Sequence, residues 1–232
     1  MEHLFDTHFH LDLQKNRNTS IHEIEEHGIY TIAVTNLPDL FSKESGEIAS
    51  KYIRFALGFH PELIHEYKGQ IPLMWDLLSS TRYIGEVGLD FVDITHKDEQ
   101  ITFFSELVER CRYDDKIITI HSRKAVREVL DIIGTNFRFK PILHWFTGNK
   151  IELVDAIDRG YYFSINLAML KTKKIQTMLA LIPEERILLE TDSPFVSSMF
   201  SHHEALAITD KCLRIHHKNI NPWENFRAIL GG

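Results

Sequence analysis

Cysteine is scarce in this chain: Cys111 and Cys212 are the only two, far apart in segments that read as helices. Neither has a second cysteine at metal-ligand spacing, which argues against a zinc–thiolate site. A single bridge between them stays open, although free thiols of a reducing compartment are the expectation. Long apolar runs are lacking too. Nothing approaches the ~18 uninterrupted apolar residues of a membrane helix, and no basic-then-apolar leader opens the chain. The expectation is therefore a cytoplasmic protein with no membrane partner. Positive charge is also short, with 26 Lys and Arg against 33 Asp and Glu and a net charge of -7. That argues against a surface that coats nucleic acid, but it leaves room for an enzyme that grips one nucleic-acid end. No linker or low-complexity segment interrupts the chain, so residues 1–232 read as one domain.

Histidine, by contrast, is abundant, at 14 residues. Most read as solvent residues, among them His22, His27, His65, His96, His202, His203, His216 and His217 on polar helix or loop stretches. The exception is the first apolar run, His3 to His10, which reads as a buried strand with Asp6, His8 and His10 on one face and Phe5 and Phe9 on the other.

The rest of the chain alternates short β-branched runs with amphipathic segments. Further strands are expected at residues 29–35, 53–59, 82–90, 116–121, 139–146, 161–165 and 186–191. Helices are expected at 20–28 (capped by Ser20 and closed by Gly28), 39–51 (capped by Asp39), through Trp75 and Leu78, and at 98–114, 124–133, 151–159, 175–182 and 203–215. In the helix at 98–114, Ile101, Phe104, Leu107, Val108 and Cys111 form one apolar stripe. Eight continuous apolar strands alternating with helices indicate an α/β fold with a parallel sheet, closing into a (β/α)8 TIM-like barrel. A doubly wound open sheet is the alternative.

The polar residues at the strand ends favour the barrel. His8 and His10 end the first strand, Glu86 lies near the end of the fourth, His121 and His144 end the fifth and sixth, and Asp192 follows the eighth. In such a barrel these positions converge on the face where active sites are built. Any one of them is an ordinary polar residue; together they describe a centre for divalent cations. Imidazole with carboxylate suits Zn, Mn or Fe, and Mg where carboxylates dominate. Glu86, between Gly85 and Gly88, could bridge two cations with its two oxygens; Glu190, one layer beneath Asp192, and Asp6, on the face of His8 and His10, are expected to support the ligands from behind.

The motifs Asp6-Thr7-His8-Phe9-His10, Gly58-Phe59-His60-Pro61, Gly85-Glu86-Val87-Gly88-Leu89-Asp90, Ile120-His121-Ser122-Arg123, Leu143-His144-Trp145-Phe146-Thr147-Gly148 and Glu190-Thr191-Asp192-Ser193-Pro194 resemble the TatD-type metal-dependent deoxyribonucleases. The match is colinear from residue 5 to about residue 195. The resemblance implies an amidohydrolase-like barrel hydrolase with a two- or three-metal centre that cleaves DNA phosphodiesters, often from the 3′ end. It implies that His8, His10, Glu86, His121, His144 and Asp192 are the metal ligands, and that His60 binds the scissile phosphate or an extra metal. Arg123 is a further phosphate-binding candidate; pairing with a helix acid is its other reading. Three features depart from the family pattern. No Arg-Asn-Glu-Pro element follows Pro194, the segment 166–174 is unlike the usual Ser-Gly loop, and the C-terminal helices are short, ending near Gly232. Members trimmed in this way resemble the QatD component of a bacterial anti-phage cassette, which implies a defence setting with protein partners.

The expected chemistry follows from the ligands. Two cations beside Glu86 would activate a water, and Asp192 would take its proton as general base. In related amidohydrolases a carbamylated lysine often fills the strand-four position; Glu86 in its place favours phosphodiester cleavage. Lys171, with Lys173 and Lys174, forms the basic cluster expected on the active face, while Phe91 and Trp145 are candidates for stacking on an unpaired base. Single-stranded or frayed DNA is thus the expected substrate, with RNA open. The alternatives are a hydrolase of small cyclic amides or lactones and a non-catalytic barrel that binds a partner through Trp223 or Phe226.

Overall fold

In the computed structural model, which describes residues 3–196 and 199–231 with the side chain of Lys174 excepted, eight strands run parallel in sequence order. They are β1 (Phe5–Phe9), β2 (Tyr30–Val34), β3 (Ile53–Ala56), β4 (Tyr83–Gly88), β5 (Ile117–His121), β6 (Lys140–His144), β7 (Tyr162–Ile165) and β8 (Ile187–Leu189). Each lies within its expected run. Two seams close the ring. Leu57 bridges β3 to β4 through its pairing with Ile84, and Thr7 Oγ1 donates to Leu189 O (2.9 Å) while Asp192 N donates to His8 O (2.9 Å). The sheet is a closed (β/α)8 barrel rather than an open one. Its strands are buried along nearly their whole length, as expected when helices cover a parallel sheet.

The helices are α1 (Arg17–His27), α2 (Pro38–Glu47), α3 (Ile71–Leu77), α4 (Lys97–Cys111), α5 (Val126–Ile133), α6 (Lys150–Asp158), α7 (Leu167–Leu170), α8 (Lys173–Leu179), α9 (His202–His216) and α10 (Pro222–Leu230). Several of their ends differ from the sequence expectation. Asn16, not Ser20, caps α1, and its side chain accepts from Thr19 N. Gly28 closes α1 in the left-handed region at φ 62°, as expected. Asp39 lies inside the first turn of α2, where the cap residue Leu37 offers no side-chain bond and Pro38 supplies the preset φ. On α4 the buried face includes Gln100 and Phe103, and Ile101 is only half-buried. Gln100 is there for a polar reason, since its Oε1 accepts from Asp90 N (2.9 Å) at the end of β4.

Helix α10 lies in the short C-terminal stretch ending near Gly232, for which the residue pattern gave no bounds beyond the helix at 203–215. Its residues Trp223 and Phe226, candidate exposed anchors, instead cover β1. Phe226 is buried and its ring stacks on Phe5 with centroids 4.4 Å apart, while Trp223 is half-buried against Phe5 and His3. Truncating Phe5 to Ala is expected to cost about 3–5 kcal/mol. Two histidines read as solvent residues are also buried. His202 stacks on Phe9 and contacts Asp6 Oδ2 through Nε2 (2.8 Å), and His217 Nε2 lies 3.0 Å from Leu179 O. Both cysteines are free, and burial pushes the Cys111 thiol up to about 12. No helix is long and apolar enough to cross a membrane among the described residues.

Candidate metal centre

Glycine lets the backbones crowd where the ligands meet. A Cβ on Gly88, at φ 138°, would lie 2.0 Å from His121 O, and one on Gly58 would lie 1.7 Å from Thr35 O. With no side chain at either position, β2 to β5 close tightly around Glu86. The carboxylate projects into the barrel mouth and is buried, with 3% of its surface exposed.

Its two oxygens meet different partners. Oε2 lies 3.5 Å from His8 Nε2 and 3.4 Å from His10 Nε2. Asp192 Oδ1 stands 3.7 Å and 3.5 Å from the same two nitrogens. Oε1 lies 2.6 Å from His121 Nδ1, 2.9 Å from His144 Nε2 and 3.7 Å from His60 Nε2. The other five expected ligands and His60 therefore gather around the Glu86 carboxylate, at the C-terminal end of the barrel.

Electrostatics reinforce the arrangement. Burial works against a charge on Glu86, but the imidazoles of His60, His144, His8 and His121 outweigh it and hold the carboxyl well below the usual range. Burial likewise opposes charge on His144, yet Glu86 and Glu190 hold that imidazole well above its ordinary value. Desolvation lowers His60 to about 4 despite the attraction of Glu86.

The donor set fits divalent cations. His8 Nε2 and His10 Nε2 face each other at 3.2 Å, and one proton at most can lie between them. Asp192 Oδ1 beside them is buried without a hydrogen bond. Two nitrogens and two carboxylate oxygens converging in a buried space form the mixed N/O shell that such ions take. Glu86 Oε1 with His121 and His144 offers a second shell of the same kind, open toward a pocket of about 450 Å³.

Behind the ligands stand the residues that aim them. Glu190, fully buried, accepts from Ser164 Oγ (2.5 Å), Asn166 Nδ2 (2.8 Å) and Trp145 N (3.1 Å), and its Oε2 is 3.7 Å from His144 Nδ1. Neutral donors satisfy it; no lysine or arginine pairs with it among the described residues. Asp6 likewise stands behind the ligands, as expected for a supporting residue. The register of β1 against β2 shifts between Asp6 and Phe9, and Asp6 accepts from Thr191 Oγ1 (2.5 Å), Thr191 N (3.1 Å) and His8 N (2.9 Å). It thereby ties β1 to the segment bearing Asp192. Asp90 was missed: its Oδ2 lies 2.8 Å from His121 Nε2, turning Nδ1 of that ring toward Glu86. The signal was present in the sequence, because Glu86, Gly88 and Asp90 alternate along one strand.

The expected substrate contacts divide. Trp145 and Arg123 line the pocket, Arg123 exposed and 4.0 Å from Asp90 rather than paired with a helix acid. Phe91 does not; it is buried under the Lys97 ammonium, which sits 4.3 Å from its ring centroid, so it cannot stack on a base. Phe195, 62% exposed, takes its place on the pocket wall, edge-on to His10. Lys171 and Lys173 are exposed around α7 and α8 and do not line the pocket, and the side chain of Lys174 lies outside the described part.

A closed parallel barrel with a buried His/Glu/Asp cluster at the C-terminal ends of its strands is the architecture of a metal-dependent hydrolase. The chain belongs to the TatD-related DNase family, whose model matches residues 5–223. It is thus a metal-dependent hydrolase of the deoxyribonuclease class. It is 27% identical over 208 residues to YabD, an uncharacterized metal-dependent hydrolase of Bacillus subtilis, covering 84% of this chain and 81% of that protein. It is 25% identical over 194 residues to the 3′-5′ ssDNA/RNA exonuclease TatD of Erwinia billingiae, covering 78% of this chain and 74% of the relative. The crystal structure of YjjV, a TatD homolog from Escherichia coli K12, superposes with a TM-score of 0.76 at 20% identity over 98% of this chain and 95% of that one, a likeness of fold.

Proposed function

We propose that this chain is an exonuclease acting on single-stranded or frayed 3′ ends of DNA, as one barrel domain with two divalent cations, Mg, Mn or Zn, and room for a third beside His60. The observation that carries the reading is the two-sided Glu86, with Oε2 among His8, His10 and Asp192 and Oε1 among His60, His121 and His144. When bound, such ions supply an activated water and neutralise charge on the scissile phosphate.

The chain's own residues do the rest. His8, His10, Glu86, His121, His144 and Asp192 would hold the ions; Asp90 orients the ring of His121, and Glu190 lies 3.7 Å behind His144 Nδ1. Asp192, beside His8 and His10, would accept the proton of the attacking water through the carboxylate oxygen not given to an ion. His60, kept neutral by burial, and Arg123 face the phosphate from the pocket wall. Trp145 and Phe195 on the same wall stack on an unpaired base. The pocket walls suit one strand end rather than a long duplex, and the basic side chains at Lys171 and Lys173 lie beyond it.

End polarity follows the activity named for the Erwinia relative, which also makes RNA a second substrate to assay. A cytoplasmic anti-phage role with protein partners rests on the QatD resemblance, and plaque counts in cells with and without Glu86→Gln test it. The decisive experiment on activity uses 3′- and 5′-labelled single strands with the chelated protein, before and after adding Mg, Mn or Zn. Metal-restored shortening from the 3′ end, lost in Glu86→Gln, is expected. No cleavage of any strand under these conditions, with turnover of a cyclic amide or lactone, would overturn the nuclease reading.

A further inference from the structure

Two histidines set aside as solvent residues, His65 and His96, meet at the same end of the barrel as the hydrolytic centre but outside it. His65 lies in the loop after β3, and His96 is the N-cap of α4, after β4. Their rings stack in parallel, with centroids 3.5 Å apart and planes at 11°. Imidazole nitrogens are common ligands of divalent metals.

Glu99 completes the group. It stands one turn along α4 from His96, and both of its oxygens lie 3.0 Å from His65 Nδ1. His96 Nδ1 approaches the same carboxylate at 3.8 Å. Both rings therefore present the same nitrogen toward one anion. One donor atom from each of the three residues falls within 4.8 Å of the others, a spread that a slight closing brings to the coordination sphere of one ion.

The geometry points to a separate site for one transition-metal dication, Zn, Ni or Cu, held by His65, His96 and Glu99. Two imidazoles with one carboxylate is the donor set that these ions favour; Mg and Ca require mostly oxygen and would be poorly served. The His96 and Glu99 pair, three residues apart on the first turn of a helix, sets two donors on one rigid element, and the loop carrying His65 brings the third. Between 40% and 44% of each side chain is exposed, so the rings have space to part around an ion and water completes its shell. The ion would exchange freely, unlike one enclosed by His8, His10 and Asp192. An ordinary surface ion pair between His65 and Glu99 is the competing account. It explains one contact but not why a second imidazole lies flat on the first with its own nitrogen turned to the same carboxylate.

The test is a zinc titration of the tag-free, chelator-treated full chain by calorimetry, with metal content measured after dialysis against micromolar zinc. Nickel and copper follow in parallel, with copper read by the nitrogen couplings of its electron spin resonance spectrum. The wild type should bind one zinc more than His65→Ala and one more than Glu99→Gln. The double variant His8→Ala with His10→Ala should keep the rim equivalent while losing one at the centre. Two substitutions on different elements guard against a folding artefact, checked by circular dichroism. If His65→Ala and Glu99→Gln, both folded, bind as many zinc ions as the wild type, the site does not exist. That outcome would leave the reading of the hydrolytic centre untouched.

Discussion

The two oxygens of Glu86 look out on unlike surroundings. On the Oε2 side, His8, His10 and Asp192 have side chains 0%, 2% and 4% exposed. Nδ1 of His8 and of His10 and Oδ1 of Asp192 are buried without hydrogen bonds. On the Oε1 side, His60 and His121 are 15% and 14% exposed, and His121 is already engaged by Glu86 on one nitrogen and Asp90 on the other. The inner side is the more buried, with His8 wholly enclosed although His10 and Asp192 reach the pocket wall; the outer side is the more open at His60 and His121, while His144 is nearly as buried as the inner ligands. An inner ion would thus be tightly kept, while an outer ion would exchange with the medium and meet the substrate.

The sharpest way to break this comparison is Glu86→Gln, since both sides lean on one carboxylate. Turnover on a labelled single strand should fall by about 10³ or more, and retained metal should drop on both sides. A variant that keeps all its metal through desalting would show that Glu86 is not shared.

The next largest effect separates the sides. His8→Ala with His10→Ala should lose one tightly held ion and about 10² in activity that millimolar metal does not restore. His121→Asn should show a similar deficit at micromolar metal and recover most of it at millimolar. Equal rescue of both variants would abolish the distinction.

Asp192→Asn should keep the inner ligand geometry but lower kcat by about 10² with KM little changed, as expected for a lost proton acceptor. Asp93→Asn is the control: Asp93 only binds Thr95 in the exposed loop before α4, and its loss should be silent. Comparable losses at both positions would mean that the base is misassigned.

Smaller still are the wall residues on the outer side. Phe195→Ala or Trp145→Ala should weaken single-strand binding by about 1–3 kcal/mol, read as KM, and leave metal content alone. The slope of affinity with salt should correspond to only about 2–4 phosphate contacts. A slope near 8 would place the binding surface elsewhere.

Much of this was readable from the chain. Strands buried on both sides are continuous apolar runs, and their polar last residues stand out against them, which is why His8, His121 and His144 were found. Asp6 shares the expected face of His8 and His10, but the groups it supports, Thr191 and His8 N, depend on a register shift of β1 against β2 that no residue type marks. Phe91 was misread because an aromatic beside a ligand can face the pocket or the helix layer, and only the position of Lys97 decides between them. His202 and His217 look polar in sequence, yet each has its one buried partner, Asp6 and the Leu179 carbonyl, on a distant element. The bounds of helix α10 were not legible from periodicity, although Pro222 at its first turn, where a fixed φ is an advantage, and Gly231 at its end mark them.

The stacking of Phe226 on Phe5 also bears on the order in which the molecule is made. The strand bearing His8 is synthesised well before α10, the helix that its outward face waits for. Until then β1 carries uncovered aromatic surface and its histidines have no Asp192 to face. Cations held by these residues would therefore find a complete ligand set only once the segment bearing Asp192 has been made. Contacts so distant in sequence make slow folding and nascent-chain aggregation the characteristic hazard of this protein.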